Sequence, residues 1–333
     1  MRTLFHCSDV HFGPPHLPRL AAGVIDFVAA HRPDLAVISG DLTQRAKPRQ
    51  FREAREWVDR IPAPTLVVPG NHDVPMYRFW ERALDPLAAY RRYFSSELEP
   101  IFRDDEMLVV GINTAFNWTI KDGRITLRRL LAVGELLAAA PAGIFKVVVA
   151  HHQLIPPPEF GSQRVLANAY EAIDLFSAAG VDLILSGHLH HAYIGNSEEF
   201  YPKGRPPIVI LHSGTTTSSR GRGGERNRNT CNSIQVDSQS MLISHHGWQA
   251  QLGRFAEQSR HWYPRQQRVP YTLEGLVPAG MPAKGDFLDE TPRSKREGAS
   301  PSPPEGWEGD RGVAGGDPID ASSRPPPPHR SAV

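Results

Sequence analysis

Between residues 1 and 252, short runs of β-branched and apolar residues alternate with stretches whose apolar positions recur every three or four residues, which leaves few folds open. Thr3–Ser8, Leu35–Ser39, Thr65–Pro69, Met107–Ile112, Phe145–Ala150, Leu183–Ser186 and Ile208–His212 read as strands. Leu17–His31, Arg49–Ile61, Thr126–Ala139 and Val165–Ala179 read as helices: Leu20, Val24, Ile25 and Val28 share one face, as do Phe51, Ala54, Trp57 and Val58. Strands alternating with helices predict an α/β domain with a largely parallel sheet. Ser233–Val236 and Met241–His245, joined by a polar stretch, predict a closing hairpin that ends at His245-His246. About 250 residues suffice for one domain with a proper core. Residues 253–280 then form a C-terminal extension.

The chain's 31 prolines in 333 residues are nearly double the usual share of about 5%. Ten of them, with seven glycines, fall in 281–333, a composition that cannot bury enough apolar surface to offset chain entropy, so this segment is expected to be a disordered tail. Many of the others flank the polar clusters described next, where a fixed φ stiffens the loops.

The strand ends carry unusual chemistry. The first runs into Asp9-Val10-His11, the second into Gly40-Asp41 and the third into Gly70-Asn71-His72-Asp73. The strand at 145–150 delivers His151-His152, and that at 183–186 delivers Gly187-His188-Leu189-His190. Ligands of open α/β sheets bind beyond the carboxyl ends of the strands. Any one cluster could be a helix cap or a turn. Five together, all of metal-ligand types, point to a metal site. Carboxylate, amide and imidazole donors without Cys suit Mn²⁺, Fe²⁺/Fe³⁺ or Zn²⁺, and their number exceeds what one ion needs. A pair of ions is the standard clamp for phosphate ester hydrolysis and activates water as the nucleophile, so no Ser or Cys nucleophile is required.

Asp-x-His, Gly-Asp, Gly-Asn-His-Asp, His and Gly-His-x-His, in that order over about residues 1–246, resemble the calcineurin-like metallophosphoesterases. The resemblance implies a four-layer α/β/β/α sandwich with two mixed sheets and a dinuclear centre at the strand ends. It implies Asp9, His11 and His190 for the first metal, Asn71, His151 and His188 for the second, and Asp41 bridging both. His72 matches the catalytic histidine, with Asp73 expected to orient it. The motif order is most similar to the bacterial branch holding the class III cyclic-nucleotide phosphodiesterases, which implies a phosphodiesterase acting on nucleotides or other small phosphodiesters, and a homodimer. The branch commonly has proline directly after the paired histidines, where this chain has Gln153, a departure that bears on substrate rather than on metal binding.

The alternatives are a phosphomonoesterase, a nuclease of the same superfamily, and a non-catalytic scaffold. With 37 Lys+Arg against 36 Asp+Glu, the chain offers no global basic field for nucleic acid or an anionic membrane. A scaffold would be expected to have lost ligands that are all present here. Two cysteines and no apolar run of membrane-spanning length or secretory leader predict a cytoplasmic protein, with Cys7 as a small buried residue of the first strand. The basic, glycine-rich stretch after residue 212 holds Arg220, Arg222, Arg226 and Arg228; Asn227 and Arg228, nearest the following strand, are the better candidates for substrate contact. Tyr193 and Phe116 are candidates to stack on a base.

Overall fold

The computed structural model describes residues 1–115, 122–141, 143–156, 165–201 and 206–265. Phe116 and the expected disordered tail lie outside them. Strands β1 (Arg2–Cys7), β2 (Leu35–Ile38) and β3 (Thr65–Val67) alternate with helices α1 (Pro18–His31) and α2 (Pro48–Val58). Two short helices, α3 (Phe79–Leu84) and α4 (Ala88–Tyr93), lead into β4 (Ile101–Arg103) and β5 (Met107–Ile112). Then follow α5 (Leu127–Ala138), β6 (Phe145–Ala150), α6 (Ala169–Ala178), β7 (Leu183–Ser186), β8 (Tyr193–Asn196) and β9 (Val209–His212). A meander of β10 (Thr230–Val236), β11 (Ser240–Gln249) and β12 (Arg254–Pro264) completes the described chain. No helix among the described residues is long and apolar enough to cross a membrane.

These strands form two six-stranded mixed sheets, ordered β12-β11-β10-β1-β2-β3 and β4-β5-β6-β7-β9-β8. Each contains a parallel block: β1, β2 and β3 in the first, and β5, β6, β7 and β9 in the second. The period of two along each strand decides the layering. Leu4, Leu35, Val37, Met107, Val109, Val147, Val149, Leu183 and Leu185 point into one shared core between the sheets. Their neighbours Phe5, Cys7, Ala36 and Ile38 pack outward with Val24, Val28, Phe51 and Trp57 of α1 and α2. Leu108, Val110, Val148 and Ile184 pack outward with Leu130, Leu137, Ile173 and Phe176 of α5 and α6. The result is the expected α/β/β/α sandwich.

Helix starts are local in origin. Pro18 and Pro48 stand in the first turns of α1 and α2, where a missing N–H costs nothing. At α5 the hydroxyl of Thr126 accepts from the Arg129 amide.

Two expectations change. β12 extends the first sheet past residue 252, so the domain boundary expected there falls in the turn between β11 and β12, and residues 254–264 of the expected extension are sheet. His245-His246 consequently lies inside β11 rather than at the end of a final strand; His245 meets Asn232 Oδ1 at 2.8 Å and His246 meets Ser233 Oγ at 2.9 Å.

Candidate metal centre

The parallel blocks of both sheets deliver their carboxyl ends to the same edge of the sandwich. There the loop after β1 is zipped to the loop after β2: Asp9 N donates to Gly40 O, His11 N to Asp41 O and Phe12 N to Leu42 O, at 2.8–3.1 Å. The Asn71–Asp73 turn follows β3, His151 follows β6, and His188 and His190 follow β7. Asp9, His11, Asp41, His188 and His190 all have φ between 49° and 73°. Left-handed backbone at five non-glycine residues costs energy at each and persists only where surrounding contacts over-determine it, as at functional sites. Two glycines permit the approach of the loops: a Cβ on Gly70 would collide with Asp41, and one on Gly187 with Ser8 and Asp9.

One donor atom each from Asp9, His11, Asp41 and His190 lies within 4.8 Å of the others, and all four residues are buried. His190 Nε2 is 3.0 Å from both Asp9 Oδ1 and His11 Nε2, and His11 Nε2 is 3.6 Å from Asp41 Oδ2. On the other side of Asp41, His151 Nε2 is 3.3 Å from Asp41 Oδ1 and 3.1 Å from Asn71 Oδ1, and His188 Nδ1 is 2.9 Å from that same amide oxygen. All seven sequence-predicted ligands therefore converge as two groups that meet at Asp41.

Tautomers show what this arrangement can hold. His190 Nδ1 donates to Arg220 O and His151 Nδ1 to Ser39 O, which leaves each neutral ring a lone pair on Nε2, aimed at carboxylate or amide oxygens. Asp9 Oδ2 accepts from His188 N and Asp41 Oδ1 from His72 N, whereas Asp9 Oδ1 and Asp41 Oδ2 are buried without a hydrogen-bond donor. Acceptors facing acceptors in a buried cluster are stable only with positive charge among them. Divalent or trivalent cations fit that requirement. Without them the charge falls to imidazoles: burial disfavours a charged His151, but Asp41 outweighs it and raises His151 to about 9. Burial likewise opposes ionisation of Asp9, yet His190 and His11 hold its carboxyl well below the usual range.

His72 stands at the rim, half-buried, with its ring centroid 4.8 Å from that of His11 and edge-on to it. Its Nδ1 donates to Gln44 O at 3.0 Å. Asp73 does not orient it. The Asp73 carboxylate accepts from Leu42 N, Thr43 N, Thr43 Oγ1 and Gly70 N at 2.9–3.1 Å and so ties the loop after β2 to that after β3. Burial and the charge of Asp41 push it up to about 7 despite those donors. His152, left without a role by the sequence, bonds Thr114 Oγ1 through Nδ1 at 2.7 Å and packs its ring 4.7 Å from that of His188.

Of the four loop arginines, Arg222, Arg226 and Arg228 are exposed, as is Asn227. Arg220 is the one at the centre: its Nη1 lies 3.3 Å from His72 Nε2 and 2.9 Å from Gln44 Oε1. The preference for Asn227 and Arg228 is thus reversed, because the start of the loop, not its end, crosses the strand ends. Tyr193 packs against the outer core of the second sheet, parallel to His212 at 6.1 Å, with its hydroxyl donated to Glu199. That is a packing position. Cys7 is buried in the first core, where desolvation raises its thiol above its usual range.

A two-sheet sandwich that gathers carboxylate, amide and imidazole donors into two groups sharing one aspartate defines a dinuclear metallohydrolase type of site. The chain belongs to the calcineurin-like phosphoesterase family, whose model matches residues 2–192. A probable cyclic nucleotide phosphodiesterase of Synechococcus sp. is 27% identical over 179 residues, 52% of this chain and 64% of the relative. A glycerophosphodiester phosphodiesterase, GpdQ of Enterobacter lignolyticus, is 34% identical over 80 residues, 21% of this chain and 29% of the relative. The chain thus matches less than two thirds of either relative's length. Among solved structures, a purple acid phosphatase of yellow lupin superposes with a TM-score of 0.59 at 12% identity, covering 77% of this chain and 52% of its own. A dimetal phosphatase of Danio rerio superposes with a TM-score of 0.56 at 10% identity, covering 80% and 99% respectively. These superpositions establish the shared fold.

Proposed function

We propose that this phosphoesterase is a dinuclear-metal phosphodiesterase acting on small phosphodiesters, with nucleotides as the preferred class. The observation that carries the reading is the meeting of two acceptor groups at Asp41 beside a rim histidine. Asp9, His11, Asp41 and His190 would hold one ion, and Asp41, Asn71, His151 and His188 the other, with Mn²⁺, Fe²⁺/Fe³⁺ or Zn²⁺ as the metals. When bound, such ions supply Lewis acidity and water activated near neutral pH. His72 has one proton fixed on Nδ1 by Gln44 O, so Nε2 is the atom that can carry a proton to the leaving oxygen. Asp73 acts at a distance, by locking two ligand loops together. The diester preference draws on the two relatives, each named as a phosphodiesterase. A cytoplasmic homodimer completes the proposal.

The test is hydrolysis by metal-reconstituted protein of a cyclic nucleotide, a chromogenic diester, a chromogenic monoester and single-stranded nucleic acid. The diester and the cyclic nucleotide are expected to turn over fastest. Turnover of the monoester alone, or of nucleic acid alone, contradicts the proposal.

A further inference from the structure

Arg220 is not a metal-ligand type and lies outside the five sequence blocks, yet the fold places it against the centre. Its main-chain carbonyl accepts from His190 Nδ1 at 2.9 Å, so the residue is anchored to a proposed ligand through its backbone. Its side chain folds back over the rim. Nη1 lies 3.4 Å and 3.3 Å from Nδ1 and Nε2 of His72, and donates to Gln44 Oε1 at 2.9 Å. Gln44 therefore holds both groups: its carbonyl fixes His72, and its side-chain oxygen fixes the guanidinium.

What this guanidinium lacks is equally informative. Among the described residues no carboxylate lies within 4 Å of Arg220, and no acceptor engages Nε or Nη2. A half-buried guanidinium has given up part of its hydration, a loss normally offset by a carboxylate or a phosphate. The two unengaged donor nitrogens form the planar fork that grips two oxygens of one phosphoryl group.

We infer that Arg220 binds the phosphoryl group of the substrate beside His72, with Gln44 as the positioning residue that aims it. The inference rests on the phosphoesterase reading above. Arg220 would grip non-bridging oxygens as negative charge builds on them, while His72 serves the leaving oxygen, a division of labour between charge stabilisation and proton transfer.

The experiment compares wild type with Arg220→Gln, Arg220→Lys and Gln44→Leu. Each is measured for metal stoichiometry, melting temperature, kinetics on a chromogenic diester, and inhibition and thermal stabilisation by inorganic phosphate. Arg220→Gln is expected to keep both metals, lose about 100- to 1000-fold in kcat/KM, and bind phosphate at least about tenfold more weakly, one charge-assisted contact being lost. Arg220→Lys should recover part of the phosphate affinity, because the charge returns without the fork. Gln44→Leu should fall between wild type and Arg220→Gln on both readouts. Unchanged phosphate affinity in a folded, fully metallated Arg220→Gln protein overturns the inference, even if turnover drops, since Arg220 would then act only through His72. Loss of metal in Arg220→Lys also overturns it, because the residue would be part of the metal scaffold. Failure of the parent reading looks different: wild type would be inert toward every ester while phosphate binding still depended on Arg220.

Discussion

The two halves of the centre are built differently although they share Asp41. Asp9, His11 and His190 are all buried, and with Asp41 they bring two carboxylates to one point. Asn71 and His188 are only half-buried, and with His151 they bring neutral donors, so the second group has no carboxylate besides the shared one. Charge and closure thus fall on the first side and openness on the second, while His72 and Arg220 stand at the rim against His11 and His190 of the first. Anionic ligands and burial favour tight retention of a cation, whereas neutral, accessible ligands favour exchange and room for substrate. The asymmetry predicts a first ion held firmly and a second held loosely.

The largest effect on both halves is expected from Asp41→Ala. Both groups lose their common carboxylate, so metal analysis should find neither site filled and activity should disappear; a variant retaining two ions and full activity sinks the assignment. The two halves are then separated by Asp9→Asn against Asn71→Ala. Asp9→Asn should lower affinity for the first ion by more than the roughly 10–100-fold typical of outer-sphere changes. Asn71→Ala should leave one firmly held equivalent. Competition with a chelator reads both, and equal loss in the two variants erases the asymmetry. His72→Ala comes next: turnover should fall about 100- to 10,000-fold, the range for a positioned acid or base, with metal content unchanged by elemental analysis.

How much of this was legible in the sequence depended on burial. Buried parallel strands announce themselves as apolar runs, and β5, β6 and β7 match their expected limits residue for residue. The strands not anticipated, β4, β8 and β12, sit at sheet edges, and Arg254–Pro264 is exposed along most of its length, so it carries no alternation to read. The convergence of the proposed ligands was legible because the fold brings strand ends together and because Asp, His and Asn after a strand are conspicuous. Roles set by three-dimensional wiring were not. Nothing in Gly-Asn-His-Asp says that Asp73 faces Leu42 and Thr43 rather than the neighbouring imidazole, and nothing in a glycine-rich loop says that its first arginine crosses the centre.

Both halves also rest on buried histidines that no proposed step uses. His6 Nε2 bonds Ser39 Oγ at 2.9 Å, and Ser39 O holds His151; His212 Nδ1 bonds Ser186 Oγ at 2.6 Å, at the end of the strand that delivers His188 and His190. Burial pushes both histidines down to about 3, with each further lowered by a neighbouring imidazole and His6 partly restored by Asp9. They are neutral when folded and free to protonate when unfolded. The unfolded chain therefore binds more protons below pH 6.5, and stability falls as pH drops from 6.5 toward 3. Each should cost about 2 kcal/mol by roughly pH 5, which lies about 1.5 pH units below the unfolded value of 6.5, at about 1.36 kcal/mol per unit. Urea midpoints of metal-free protein across pH 5 to pH 7 measure the slope, and chelation removes the contribution of ligand release. His6→Gln keeps a bond to Ser39 without a titrating ring, so its slope should be shallower than wild type by about one histidine's share. Parallel slopes would show that His6 is not held neutral, and the support beneath the second half of the centre would need another explanation.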